Sequence, residues 1–341
     1  MRRVLPIITV TLVAVLFPGA VAAQVELHVA HAAGLSEVNY SPGYSGPATA
    51  FLSLSGAEAV LVDADDVIHV GHGAGLSALV YDSGTQSYAD ATATAPFFGP
   101  LNVDGLVIDS NGVVHVLHAG GLSGLEFDFS AGAGAGYTDT KAFLSLPAPN
   151  LGLAVDPGDV LHPGHSAGLS ATDFTPPSTY SSVAGQFFAI ANVREVFVDS
   201  NDAIHAGHAA GLSALTYDGL SYADTGHFFA LPNVNGVFED PSGDLLVVHD
   251  GGLSAFSYGA GGYTARSGFS NLGGNSGRAV TMDRDRVVHV GHDAGVSAFT
   301  YDSTTGQFTD LGFFISIPGV RSLGLRDAQL VPVELMHFSV D

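Results

Sequence analysis

One short motif recurs seven times along this chain of 341 residues. Its fifth copy, at residues 199–218, reads DSNDAIHAGHAAGLSALTYD. The second histidine of the motif falls at His31, His72, His118, His165, His208, His249 and His292. Successive copies are therefore 41 to 47 residues apart. A period of this size, carried by short apolar runs and glycine-rich turns, indicates a repeat architecture in which each copy packs against the next.

Each copy predicts four short strands. In the fifth copy, apolar runs rich in Val, Ile, Leu and Phe are separated by turn residues, and no helical period is sustained. The predicted strands cover residues 196–198, 203–208, 212–217 and 221–229. Four antiparallel strands in a repeat of this length are the unit of a β-propeller. We therefore predict an all-β fold over residues 24–329, a seven-bladed β-propeller with four antiparallel strands per blade.

The two ends of the chain complete one blade. The first copy begins at residue 25 directly with the second strand of the unit and lacks the first. A matching strand appears at residues 319–326, GVRSLGLR, which is similar to NVREVFVD at residues 192–199. Pairing the two ends removes the free edge strands of an open array. One blade is therefore expected to be closed by both termini.

The first residues predict export. Residues 1–23 begin with basic residues, continue with an apolar run and end with small residues suited to a cleavage site, which is typical of a secretory signal peptide. A retained N-terminal anchor is the alternative. No other apolar run is long enough to span a membrane. We expect a secreted or cell-surface protein with no membrane insertion after signal cleavage. The chain has no cysteine, so the fold relies on burial without disulfides.

The strongly negative net charge limits the classes of partner that the protein can bind. The formal net charge is -23, and Lys141 is the only lysine. Such a surface repels nucleic acid and anionic membranes and favours cations, cationic partners or simple solubility. We therefore expect no nucleic-acid partner. With 46% hydrophobic and 13% charged residues, the chain is too apolar for a disordered acidic segment.

The copies resemble the two-component-regulator propeller repeat, whose pattern runs Asp-x-x-Gly-x-Leu-Trp-Val-Gly-Thr-x-x-Gly-Leu. Residues 109–122, DSNGVVHVLHAGGL, fit it without gaps, with His115 in place of the Trp and His118 in place of the Thr. The resemblance covers about residues 24 to 329 and implies a propeller. That family includes periplasmic sensor domains and secreted proteins. The tail at residues 330–341 is similar to the segment before type IX secretion sorting domains, which favours an extracellular destination.

The repeated histidines allow two interpretations, a metal centre and a structural brace. Imidazole is a common ligand of zinc and copper, and His-x-x-His occurs in six copies. Residues three apart on a strand point to opposite faces, however, and the pair lies one strand further out than the channel. The rings therefore cannot converge on one ion, although metal held between adjacent blades remains an alternative.

A hydrogen-bonded brace explains more of the pattern. An aspartate lies six residues before the position of the first histidine in copies two to seven, although Leu246 replaces that histidine in copy six, and a serine lies five residues after the second histidine in all seven. These groups can satisfy one another inside an apolar interior. An Asp-His-Ser set indicates hydrolysis only where it occurs once in a cleft, so a repeated set indicates architecture. We therefore predict no metal, no cofactor and no catalytic residue.

One register departs from the repeat. Five residues before the repeated aspartate, at the start of the predicted innermost strand, the copies read Glu58, Asp104, Leu151, Arg194, Asn235 and Arg278, with Arg321 in the closing strand. These positions should surround one mouth of the central channel. A ring of mixed charge could grip a small zwitterionic or anionic ligand, or its members could be salt bridges that stitch neighbouring blades. Glu195 and His227 also break their registers, each as a single residue.

The sequence therefore predicts a non-catalytic binding module on the cell surface or in secreted form. Its expected partner is a small polar or anionic ligand, or a protein or glycan at the cell surface, and the expected state is a monomer. The candidate ligand-binding residues are Glu58, Asp104, Arg194, Asn235, Arg278 and Arg321. The alternative is a metal-dependent hydrolase or lyase at the channel mouth, of the lactonase or lyase propeller kind.

Overall fold

The structure, a computed structural model, describes residues 25–44, 50–91, 97–99, 102–128, 136–148, 150–176, 179–181 and 186–326. The predicted signal peptide (1–23) and tail (330–341) lie outside these residues. The described part of the chain includes no helix with the length and hydrophobicity that crossing a membrane requires. Strands are numbered in chain order.

Seven antiparallel sheets form seven blades. The strands of each blade are named below in their order in space, from the innermost to the outermost. Blade 1 contains β31 (Val320–Arg326), β1 (Val25–His31), β2 (Gly34–Tyr40) and β3 (Ala50–Ser53). Blade 2 contains β4 (Ala59–Val62), β5 (Ile68–His72), β6 (Gly75–Asp82) and an outer strand split into β7 (Ser87–Asp90) and β8 (Phe97–Phe98). Blade 3 contains β9 (Val103–Ile108), β10 (Val113–His118), β11 (Gly121–Asp128) and β12 (Gly136–Ser145).

Blade 4 has the same order with two divided strands. It contains β13 (Asn150–Val155), β14 (Val160–His165), a third strand split into β15 (Gly168–Ser170) and β16 (Thr172–Thr175), and a fourth split into β17 (Thr179–Ser181) and β18 (Phe187–Phe188). Blade 5 contains β19 (Val193–Val198), β20 (Ile204–His208), β21 (Gly211–Tyr217) and β22 (Tyr222–Ala230).

The last two blades complete the ring. Blade 6 contains β23 (Val234–Glu239), β24 (Asp244–His249), β25 (Gly252–Gly259) and β26 (Gly262–Ser270), and a 3-10 turn follows at Leu272–Gly274. Blade 7 contains β27 (Gly277–Met282), β28 (Val287–His292), β29 (Gly295–Asp302) and β30 (Gln307–Ser316).

The ring closes through the two ends of the described chain. Strand β31 pairs antiparallel with β1, so the first blade is made from both ends. The seven innermost strands pack side by side, β31 against β4 and on through β9, β13, β19 and β23 to β27, which meets β31. The prediction of an all-β, seven-bladed propeller closed by both termini is confirmed.

A tight turn joins the second and third strands of every blade. Gly211 begins β21 with a φ of 157°, a backbone conformation that side chains other than glycine rarely adopt. A Cβ at this position would overlap the carbonyl oxygen of Phe229 on the adjacent strand. The glycine that follows each pair of turn residues is therefore a steric requirement of the blade.

In six of the seven motifs, the first histidine joins its own blade to the next. In blade 5, Asp199 accepts hydrogen bonds from two turn amides and a third from Nε2 of His205 at 3.0 Å. Because a carboxylate only accepts, Nε2 carries the proton and Nδ1 of His205 must accept. The donor is the hydroxyl of Tyr263 in blade 6, at 2.8 Å.

The same histidine–tyrosine bond occurs at six of the seven blade interfaces, at 2.6 to 3.0 Å. The pairs are His28–Tyr88, His69–Tyr137, His115–Tyr180, His162–Tyr222, His205–Tyr263 and His289–Tyr44. The imidazoles are fully buried, where an unpaired polar atom costs about 1–3 kcal/mol. The predicted brace is therefore present, but it also fixes the fit between neighbouring blades.

The interface between blades 6 and 7 replaces both partners at once. Leu246 stands where other copies have the histidine, and Phe308 of the next blade stands where they have the tyrosine. Both side chains belong to one apolar cluster. Asp244 supplies the polar link instead, because it accepts from the hydroxyl of Tyr301 in blade 7 at 2.7 Å and pairs with Arg266.

The second histidine of each motif makes its hydrogen bonds within its own blade. Nδ1 of His208 accepts the backbone N–H of Ala210 at 3.4 Å, so Nε2 donates to the hydroxyl of Ser213 at 3.0 Å. The ring of Phe228 stacks on this imidazole. Desolvation by burial lowers the pKa of all seven of these histidines.

Replacing Tyr180 by phenylalanine tests the bond between blades 3 and 4. The change leaves the buried Nδ1 of His115 without a donor, so we expect the free energy of unfolding to fall by about 1–3 kcal/mol. Urea unfolding followed by circular dichroism measures the loss. The matched control is Phe308→Tyr, which adds a hydroxyl opposite Leu246 and should also destabilise. The double change Leu246→His with Phe308→Tyr should recover stability, and a further loss in the double variant would contradict the brace.

The second histidines predict an acid-sensitive fold. Their folded-state pKa values lie below the ordinary 6.5, so below about pH 6.5 the unfolded chain binds more protons than the folded chain. Their contribution to stability is thus complete above that pH and lost as the pH falls. Urea unfolding between pH 8 and 5 should show fewer protons taken up on unfolding in His208→Gln than in the wild type. Identical pH slopes for the two proteins would count against this account.

Candidate functional site

The register that breaks the repeat lies at one end of the channel. Every innermost strand runs in the same direction, so the first residues of all seven strands meet at the same mouth. The six predicted residues flank or begin these strands: Glu58, Asp104, Arg194, Asn235, Arg278 and Arg321. Leu151 occupies the same position in blade 4. The structure therefore brings the six predicted residues to one rim.

Blades 5, 6 and 7 form a polar chain along this rim. Nη1 of Arg194 lies 3.4 Å from the side-chain oxygen of Asn235. The amide nitrogen of Asn235 donates to Asp250 at 3.2 Å and to the carbonyl of Gly277 at 2.8 Å. Arg278 continues the chain, with its Nη1 3.7 Å from the carboxylate of Asp250. These residues thus link neighbouring blades as well as line the mouth.

Two acidic residues of this rim were missed by the sequence analysis. Asp293 accepts from Nε of Arg278 at 2.7 Å, and Asp250 bridges Asn235 and Arg278. Both follow the second histidine of their copy, where the other five copies have Ala, Gly or Ser. That departure from the repeat was the available signal. Burial alone would raise the pKa of Asp250, but hydrogen bonds from Asn233 and Asn235, with the arginines, hold it below its usual value.

Blades 1 to 3 carry the acidic residues of the predicted register, Glu58 and Asp104. Nε of Arg321 lies 3.5 Å from the carboxylate of Glu58, both side chains being partly exposed. Asp104, on the next blade, is half-buried and makes no hydrogen bond or ion pair within the described residues. Burial, and secondarily the negative charge of Glu58, raises the pKa of Asp104 to about 7. The mouth therefore holds a carboxyl group that changes charge near neutral pH.

Arg194 is the least satisfied base of the rim. Its Nε is buried without a hydrogen-bond partner, and within the described ranges no carboxylate forms an ion pair with it. Arg278 and Arg321, by contrast, each face a carboxylate. Nη1 of Arg194 bonds Asn235, and the guanidinium keeps further donors for an oxyanion or carboxylate.

The histidines are not arranged as metal ligands. The described residues contain no group of three or more His, Asp or Glu side chains placed to hold a metal ion. Five of the first histidines bond an aspartate and a tyrosine, as His205 does, and the second histidines bond serine, as His208 does. The interpretation of these rings as architecture fits this geometry.

Comparison with known proteins reveals similar propellers. No protein-family model and no curated protein sequence matches the chain. A structure described as a candidate 6-phosphogluconolactonase from Bacteroides fragilis has a TM-score of 0.72 at 12% identity, covering 91% of this chain and all of its own. The periplasmic gluconolactonase of Pseudomonas aeruginosa has a TM-score of 0.72 at 11% identity, covering 90% of this chain and all of its own.

A third similarity concerns the repeat family. The extracellular domain of a candidate hybrid two-component system from Bacteroides thetaiotaomicron has a TM-score of 0.54 at 14% identity. The match covers 80% of this chain and 38% of that one. The resemblance to two-component-regulator propellers thus holds for the fold. The resemblance of the C-terminal tail to a sorting-domain linker has no support, and that tail lies outside the described residues.

The expectation of a non-catalytic binding module was wrong. Propellers that match 89 to 91% of this chain are named as lactonases, so the comparisons favour the hydrolase alternative over the main prediction. At 9 to 13% identity the likeness itself shows the fold alone. The mixed charge of the rim predicted either a ligand-binding ring or salt bridges between blades, and ion pairs are present at Arg278 and Arg321. Packing also gives one carboxyl group of the rim a pKa suited to proton transfer.

Removing the charge of Glu58 tests the electrostatics of the rim. In Glu58→Gln the pKa of Asp104 should fall below 7 but stay above the ordinary Asp value of 3.8, because burial is the larger cause of the shift. Carbon-13 NMR titration of the aspartate carboxyl groups measures this change. Glu126→Gln, on the outer part of blade 3, is the control and should leave the titration as it is. An unchanged Asp104 titration in Glu58→Gln would show that the two carboxylates do not interact.

Proposed function

We propose that this propeller hydrolyses a lactone at the channel mouth, outside the cytoplasm. The observation that carries the proposal is the half-buried Asp104, whose pKa of about 7 suits a general base at neutral pH. Support comes from the similar propellers named as 6-phosphogluconolactonase and gluconolactonase. Hydrolysis of a lactone requires an activated water and a group that stabilises the developing negative oxygen.

The rim supplies groups for both requirements. Asp104, when ionised, accepts a proton from a water molecule, which then adds to the lactone carbonyl carbon. The negative charge that develops on the carbonyl oxygen needs a fixed donor. Arg194 fits this role, because among the described residues it is the arginine of the rim that faces no carboxylate. The ring carbon–oxygen bond then breaks, and the product is a hydroxy acid.

Export is part of the proposal. The similar lactonase from Pseudomonas aeruginosa is named as periplasmic, and the Bacteroides thetaiotaomicron propeller is an extracellular domain. The basic and apolar residues at positions 1–23 predict a secretory signal, which is consistent with these neighbours. We therefore expect the mature protein in the periplasm or outside the cell.

Asp104→Asn tests the proposed base. We expect kcat/KM for glucono-δ-lactone, corrected for spontaneous hydrolysis, to fall about 100-fold or more, since general-base catalysis contributes ~10²–10⁴-fold. In the wild type, activity should fall as the pH drops below about 7, where Asp104 gains a proton, and Asp104→Asn should lose this acid limb. A pH-stat assay at several pH values measures both.

Two controls accompany the assay. Asp139→Asn changes a partly exposed aspartate paired with Lys141 on the outer strand, and it should keep wild-type activity. Dialysis against EDTA separates this mechanism from the metal-dependent alternative: we expect activity to survive it. A wild-type protein that accelerates no neutral or phosphorylated sugar lactone would refute the proposed function.

A further inference from the structure

Arg278 is held between two carboxylates at the channel mouth. Its Nε donates to Asp293 at 2.7 Å, and its Nη1 lies 3.7 Å from the carboxylate of Asp250. Asp293 follows β28 of the same blade, whereas Asp250 follows β24 of blade 6. Asp250 also accepts hydrogen bonds from the side chains of Asn233 and Asn235, which fix its position. The positive charge of Arg278 is therefore compensated from two blades by residues of the mouth itself.

The fold does not require an acid at either of these turn positions. The equivalent residues of the other five blades are small and uncharged: Ala32, Gly73, Ala119, Ser166 and Ala209. The second and third strands pair in the same way in blades with and without the carboxylate. The side chain of Asp293 is 47% exposed, and an ion pair at such a site adds only about 0–1 kcal/mol to stability. The two acids therefore indicate a requirement of the mouth rather than of the blades.

The described rim carries no excess positive charge. Nε of Arg321 lies 3.5 Å from the carboxylate of Glu58, so this arginine is compensated as well. The rim as a whole places three arginines, Arg194, Arg278 and Arg321, beside four acidic residues, Glu58, Asp104, Asp250 and Asp293. Its charges cancel when Asp104 is protonated, and the formal net charge of the whole chain is -23. A phosphate ester, with a charge of about −1.5 to −2 at pH 7, therefore finds no net attraction at this mouth.

We propose that the mouth selects lactones of uncharged sugars over phosphorylated ones, with Asp250 and Asp293 as the residues that set this preference; this rests on the proposed function. The hydroxyl groups of an uncharged sugar both donate and accept hydrogen bonds. They therefore suit a rim that offers carboxylates and guanidinium groups side by side. A phosphate group that approached Arg278 would instead meet the negative charges of Asp250 and Asp293.

The test compares glucono-δ-lactone with its 6-phosphate as substrates of the wild type. At low ionic strength we expect kcat/KM for the uncharged lactone to exceed that for the phosphate by about 10-fold or more, because like charges repel across the mouth. Raising the salt concentration from about 20 mM to about 500 mM screens this repulsion. The value for the phosphate should then rise, whereas that for the uncharged lactone should stay the same. A pH-stat assay at neutral pH, corrected for spontaneous hydrolysis, measures both.

Asp293→Asn removes one of the two negative charges beside Arg278. We expect the ratio of kcat/KM for the phosphate to that for the uncharged lactone to rise about fivefold, which is the effect of one charge on a phosphate about 8 Å away in water. Asp293→Ser should raise the ratio in the same way, and serine is compatible with this turn because blade 4 has Ser166 there. A purely structural role of Asp293 would lower both values together and leave their ratio unchanged.

Asp202→Asn is the matched control. It also removes one negative charge, but from an exposed turn after β19, at the opposite end of blade 5 from the mouth. We expect this variant to keep the wild-type ratio. A rise equal to that of Asp293→Asn would overturn the inference, because the preference would then follow from the net charge of the whole chain.

The inference and the proposed function fail in different ways. If the wild type hydrolyses the phosphate faster than the uncharged lactone, or if Asp293→Asn keeps the wild-type ratio, the selectivity is wrong and lactone hydrolysis stands. If the wild type accelerates neither lactone, lactone hydrolysis itself is wrong and the selectivity falls with it.

Discussion

The ring depends on a buried imidazole that must be satisfied from two blades at once. Apolar contacts between blades are non-directional and would allow neighbouring sheets to slide. In five blades the histidine adds direction, because its own aspartate fixes the proton on Nε2 and leaves Nδ1 to accept from the tyrosine of the next blade, as at His115. His28 in blade 1 keeps the bond to tyrosine but has no partner for Nε2 among the described residues. In a closed ring an error at one interface must be absorbed by the others. A bond of 2.6 to 3.0 Å at six interfaces therefore sets the spacing of the whole propeller.

The interface between blades 6 and 7, which lacks the histidine, obeys the same requirement that buried polar atoms be paired. A histidine facing phenylalanine, or a leucine facing tyrosine, would leave a buried polar atom unpaired, which is costly. The chain changes both positions together, to Leu246 and Phe308, and places Asp244 where it accepts from Tyr301. Replacing both partners by apolar groups of suitable shape can be nearly neutral. At this interface the hydrogen bond between Asp244 and Tyr301 therefore takes the place of the bond between histidine and tyrosine.

Much of the fold could be predicted because the same short sequence motif specifies each blade. The repeat, the closing strand at residues 320–326 and the Asp–His contact are all visible within one copy or between the chain ends. The tyrosine partner escaped notice because it lies 58 to 68 residues from its histidine at five of the interfaces. The irregular register of the rim is visible in the sequence, whereas the pKa of Asp104 arises from packing between blades, which no local pattern expresses.

The propeller separates the residues that hold it together from those proposed to act. The braces join histidines of the second strands to tyrosines of the next blade, whereas Asp104 and Arg194 belong to the innermost strands. Burial raises the pKa of Asp104 to about 7. A carboxyl group with this pKa is partly ionised at neutral pH, and the ionised form is the one that a general base requires.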